Sequence, residues 1–161
     1  MLRILGIGLI TAVVSVWGEK LIVRQKKRVK ALEAFLNFAR SFEAKLKSFN
    51  IPIKSFLLEY DDEILELSGF LKSAVSTVNV SEAVRETADD LCLDEEDVKL
   101  VGEFGDGIGQ YSVEEELKRC TYYTGEIQKR LAEAREKLPG EIKLLRSSGV
   151  ICGILAAVLL I

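Results

Sequence analysis

Val113, Leu117, Cys120, Thr124, Ile127, Leu131, Ala134 and Leu138 follow one another in alternating steps of four and three. That spacing puts them all on one face of an α-helix. A strand, with its period of two, cannot present them together. A seam of this kind, about three heptads long, obliges the rest of the chain to supply apolar helix faces that cover it. Glu114–Lys118, Glu115–Arg119, Glu126–Arg130 and Glu133–Lys137 are i,i+4 pairs in the favoured orientation. Each contributes only a few tenths of a kcal/mol, so they mark the solvated side of the helix and not a site.

The covering faces are present. Leu32, Leu36, Ala39, Phe42, Leu46 and Phe49 form a second stripe at steps of three and four, widened by Phe35 and Phe38. Pro52 ends that helix, because proline lacks an amide hydrogen and disfavours helix at the residue before it. It can also open a short helix reaching about Glu59. Asp61-Asp62 predicts a cap for one helix through Ile64, Leu67, Leu71, Val75 and Val78, and Ser81 predicts the next cap. Asp94 with Asp97 begins a short helix through Val98, Val101 and Phe104. Leu138-Pro139-Gly140 predicts a kink or hinge in the last helix. No stretch alternates with period two. The expected fold is all-α, a helical bundle of about six helices with short connections.

Two runs, residues 4–18 and 147–161, contain no charged side chain. Each would be about 22 Å long as a helix, a little short of a usual span. A secretory signal peptide is the competing reading of the first run, but no A-x-A-like cleavage site follows it, and it leaves the second run unexplained. Lys20, Arg24, Lys26, Lys27, Arg28 and Lys30 follow the first run; Lys137, Lys143 and Arg146 precede the second. The positive-inside bias then places the part between them in the cytoplasm. The expected organisation is a membrane helix over 1–20, a cytoplasmic bundle over 21–146, and a membrane helix over 147–161. Gly149 with Gly153 is a G-x-x-x-G, a weak signal for close helix packing.

Residues 103–116 read EFGDGIGQYSVEEE, with glycine at 105, 107 and 109. A dinucleotide-binding loop needs a preceding strand and a G-x-G-x-x-G spacing. Here a helical pattern precedes, the spacing is G-x-G-x-G, and Asp106 puts negative charge where a phosphate would lie. The stretch reads as a helix–helix corner: glycine closes one helix in the left-handed conformation, and Ser112 with Glu115 forms an S-x-x-E capping box for the next. The absence of histidine removes the commonest general base and transition-metal ligand. The three cysteines form no C-x-x-C. A net charge of −3 argues against nucleic acid as a partner. No catalytic residue, metal site or cofactor is expected.

The corner also carries a resemblance. Phe104, Gly105, Ile108 and Gly109, with Ser112 in place of an aspartate, resemble the F-G-x-x-L-G-x-x-D corner of the stage III sporulation protein AB family. SFEAKLKSFNIPI, residues 41–53, is similar to a second motif of that family, with Glu43 and Pro52 in register. KLLRSSGVICGILAAVLLI, residues 143–161, is similar to its tail, with Arg146 and Gly149 matching. The resemblance implies a non-catalytic membrane subunit of the mother-cell–forespore complex required for endospore formation. The expected localisation is the mother-cell membrane facing the forespore. It also implies a type II secretion F-like cytoplasmic domain, and as partners other stage III proteins including a secretion-type ATPase. A platform subunit of a pilus or type II secretion-like machine is the alternative.

Charge is uneven along the chain. Between residues 59 and 97 the only bases are Lys72 and Arg85, among thirteen acids. The basic stretch before residue 48 reads as topology and attraction to membrane lipid. The acidic stretch reads as a solvated face or as a docking surface for a basic partner. Asp89, Asp90, Asp94, Glu95, Glu96 and Asp97 are the candidate residues. The apolar seam leaves a homo-oligomer open.

Overall fold

The computed structural model describes the backbone of residues 2–49 and 51–158, and side chains over 18–49, 51–140 and 142–144. It holds seven helices and, among the described residues, no strand: α1 Leu2–Phe49, α2 Ile53–Glu59, α3 Glu63–Leu67, α4 Phe70–Thr77, α5 Val80–Thr87, α6 Glu95–Gly105 and α7 Val113–Val158. The chain divides into a compact unit, Lys27–Glu133, and a second unit made of Met1–Lys26 and Ala134–Ile161. Both outer segments are continuations of α1 and α7. Among the described residues no helix is long and apolar enough to cross a membrane. The expected spans at 1–20 and 147–161 fall almost wholly on residues whose side chains are outside the description.

The core of the compact unit is aromatic. Phe35, Phe38 and Phe42 of α1 are buried with Phe56 of α2, Phe70 of α4 and Phe104 of α6. Phe38 is the hub, with Phe56, Tyr60, Phe70 and Phe104 edge-on to it at 5.1–6.5 Å. Such pairs contribute about 0.5–1.5 kcal/mol each beyond the area they bury. The α1 stripe is therefore used as its spacing predicts as far as Leu46, whereas Phe49 is 75% exposed. On α7, Cys120, Ile127 and Leu131 are buried, so this part of the seam is closed by the chain's own core.

Three local expectations change. The helix expected from Asp62 to Val78 is two helices. Asp62 does cap α3, its carboxylate accepting from the N–H of Ile64 and Leu65. Gly69, at φ +80°, then turns the chain before α4, and only glycine takes that conformation freely. The turn re-aims the second half so that Phe70, Leu71 and Ala74 point inward, while Leu67 is 82% exposed. The cap of α5 is Asn79, whose side chain accepts from Glu82 N–H; Ser81 lies inside the helix and is buried. Finally, the interruption expected as a kink or hinge at Leu138-Pro139-Gly140 leaves α7 unbroken in its helical backbone. Proline removes one backbone hydrogen bond, and the good helix formers on both sides, Ala132 to Leu138 and Glu141 to Leu145, carry the helix across.

The glycine corner behaves as its sequence suggests. Gly107 and Gly109 both have φ +82°. Ser112 and Glu115 cap α7 reciprocally: Glu115 N–H donates to Ser112 Oγ at 3.4 Å, and Ser112 N–H donates to the Glu115 carboxylate at 3.2 Å. Gly105 has a different task. It is helical, and a Cβ there would lie 2.7 Å from Ser81 N and 2.8 Å from Val80 Cγ1. Its bare backbone is what lets α6 lie against the start of α5.

Candidate docking surface

Of the six carboxylates singled out from the sequence, Asp97 is not on the surface. It is fully buried, for two local reasons. It occupies the N3 position of the α6 capping box, where its N–H donates to Asp94 and its own carboxylate accepts from Asp94 N–H. It also receives two arginines. Arg28 of α1 reaches it with Nη2 at 3.1 Å, and Arg130 of α7 with Nη2 at 3.0 Å. Burying a carboxylate is costly unless it is paired and hydrogen-bonded in this way.

Asp94, half-exposed, shares both arginines, at 2.6 Å from Arg28 and 3.1 Å from Arg130. Burial pushes its carboxyl pKa up, but the hydrogen bond from Asp97 N–H and the two guanidinium charges outweigh that and hold it below the usual range. Glu96 pairs with Arg130 at 2.7 Å from the solvent side. These three acids and two arginines clasp α1, α6 and α7 together. The arginines were not legible as partners: Arg28 reads as part of a basic juxtamembrane stretch and Arg130 as an i,i+4 partner of Glu126. The only signal was the D-x-x-D of the capping box, which points to a cap and says nothing of what else comes to it.

The remaining three, Asp89, Asp90 and Glu95, are exposed and make no ion pair among the described residues. They do not share one face. Asp89 and Glu95 line a groove of about 620 Å³ between α5 and α6, with Ala88, Leu93, Val98 and Gly102 beneath them. Asp90 lines a separate groove of about 680 Å³ against Lys27, Lys30, Glu63, Ile64 and Leu67. Among the described residues no cluster of acidic or cysteine side chains is arranged to hold a metal ion.

Of the residues that match the family motifs, the described ones sit at packing, pairing and capping positions. Phe104 and Gly105 are core and close-packing positions. Glu43 of α1 accepts from Thr121 Oγ1 of α7 at 3.0 Å and from Lys47 at 2.7 Å, tying the two long helices. Pro52 is the N-cap of α2. Arg146 and Gly149 lie in α7, their side-chain surroundings outside the described residues. Arg119, read from the sequence only as an i,i+4 partner of Glu115, donates to the carbonyls of Glu103 and Asp106 at the end of α6, and stacks on the Tyr111 and Tyr123 rings. Beside it Glu116 is buried. Desolvation raises its carboxyl pKa, only partly offset by the Gly109 N–H and the Arg119 charge, and its Oε2 has no hydrogen-bond partner. Burial, with Glu116 and Glu43 nearby, also pushes the Cys120 thiol up to about 12.

The helical bundle, the glycine corner and the two continuous outer helices can now be set against known proteins. Neither the curated proteins nor the solved structures include a match. The stage III sporulation protein AB pattern matches residues 3–161, from the first turn of α1 to the last residue. The chain belongs to the stage III sporulation protein AB family.

Proposed function

We propose that this protein is a non-catalytic, membrane-attached subunit of the mother-cell–forespore transenvelope complex, and that its helical bundle couples a cytoplasmic secretion-type ATPase to the membrane assembly. Family membership carries the coarser part, a role in stage III of sporulation. Attachment is supported by the charge-free runs 4–18 and 147–161 and by the bases that flank them. The F-like reading of the domain is the analogy on which coupling to an ATPase rests.

The observation that bears most on coupling is the anchored acidic edge. The cluster of Arg28, Arg130, Asp94 and Asp97 fixes α6 to both α1 and α7, the two helices that continue into the outer segments. A partner pressing on α6 therefore acts on helices leading to the membrane. The test is capture of the purified secretion-type ATPase of the same organism by the full-length chain in detergent. Capture that weakens as salt rises supports the role. No capture by a chain shown by circular dichroism to be folded overturns the coupling role.

A further inference from the structure

The geometry points to the groove between α5 and α6 as the seat of a helix from a partner protein, one bearing a row of Lys or Arg beside an apolar residue. The inference rests on the reading of this face as a docking face and says what docks there. Its rim carries Asp89, Glu95, Glu103 and Asp106 against only Arg85 and Lys99. Asp89, Glu95 and Asp106 have no internal ion pair among the described residues, and Glu103 meets Lys99 only at 4.0 Å. The rim therefore presents unspent negative charge, to which a basic surface is complementary. The floor is apolar, with Leu93 buried and Val98 half-buried.

The form of the occupant follows from the walls. One is α6 and the other is the end of α5 with the turn that follows it, residues 88–94; no strand lines the groove, so no sheet edge is offered to an extended peptide. Side chains must do the recognising, and a helix presents them at the matching spacing. The groove is also preformed. Gly105 seats α6 on Ser81 and Val80, and Asp94, which also lines the groove, is held by Arg28 and Arg130. Little ordering is then left to be done on binding. The second groove differs: Lys27 and Lys30 stand there among Glu33, Glu63 and Asp90, so most of its negative charge is offset locally.

The test uses the full-length chain in nonionic detergent and a fluorescein-labelled, stapled helical peptide of about 14 residues, with Lys at i, i+4 and i+8 beside Leu. Its twin carries Glu in place of every Lys. At low salt the basic peptide is expected to raise the anisotropy saturably, and the twin is not. The double variant Asp89→Lys with Glu95→Lys, both at exposed positions, is expected to weaken binding roughly tenfold. Asp90→Lys, one residue along but in the other groove, is expected to leave it nearly unchanged. Absence of binding, equal binding of the twin, or equal loss with Asp90→Lys would overturn the inference. ATPase capture without peptide binding removes the groove and keeps the coupling role; peptide binding without ATPase capture does the reverse.

Discussion

Gly105 and Gly125 are both helical glycines, yet they predict opposite responses to the same methyl group. At Gly105 a Cβ would meet the backbone of Ser81 at 2.7 Å, and backbone cannot swing aside. Gly105→Ala is expected to cost about 1–3 kcal/mol in urea unfolding followed by circular dichroism. At Gly125, mid-α7, a Cβ meets nothing within 4 Å. Gly125→Ala is expected to stabilise by about 0.5–1 kcal/mol, and a loss there would show that another surface packs against this face of α7. Glu116 supplies a pH-dependent case. Its folded pKa is raised, so the folded state holds its proton more tightly than the unfolded one. Its contribution is complete below the ordinary glutamate pKa of about 4.3 and fades as pH rises through the folded value. Glu116→Gln is expected to be more stable than the parent at pH 7–8, with the difference vanishing toward pH 4; melting curves at the two pH values check this. Single residues were legible where the chemistry is local. Pro52, Asp62, Asp94 and Ser112 all act at helix starts, because a cap is decided within three or four positions. Asn79 was missed because Ser81 offers another capping side-chain oxygen two residues later, and only packing of Ser81 under Gly105 decides between them.

At the scale of elements, the two long stripes were readable because periodicity over many turns leaves little choice. The span from Asp62 to Val78 was not. Its apolar residues keep helical spacing through Gly69, and spacing alone does not report that a glycine has taken positive φ. The continuity of α7 through Pro139 was also not readable, since local propensity favours a break and the neighbouring turns override it. That continuity has a measurable cost. Proline in a helix interior is worth up to about 3 kcal/mol against alanine. Pro139→Ala restores the missing N–H, and deuterium uptake of the peptide spanning residues 133–143 is expected to slow. Unchanged uptake would mean that the last helix is not strained at this point.

On the scale of the whole molecule, the compact unit 27–133 contains the aromatic hub, the ion cluster and both grooves. Among the described residues these are the contacts that hold it together, so removing residues 1–17 and 147–161 is expected to shift its melting midpoint by less than about 4 °C, or under about 1 kcal/mol. A larger shift would show that the outer segments support the bundle. Long-range pairing was the least legible level. Asp97 is separated from Arg28 by 69 positions and from Arg130 by 33, and no local pattern links them; the acidic run therefore read as one surface when the fold divides it among a clasp and two grooves. The burial of Cys120 also has a practical side. The thiolate is the form that attacks alkylating reagents, and a thiol with a pKa pushed up to about 12 and no solvent exposure offers almost none at neutral pH. Its labelling must wait for the core to come apart, so the rate of modification at this one sulfur is a clock for how often the interior breathes, readable by mass spectrometry in a living cell with no probe added to the chain.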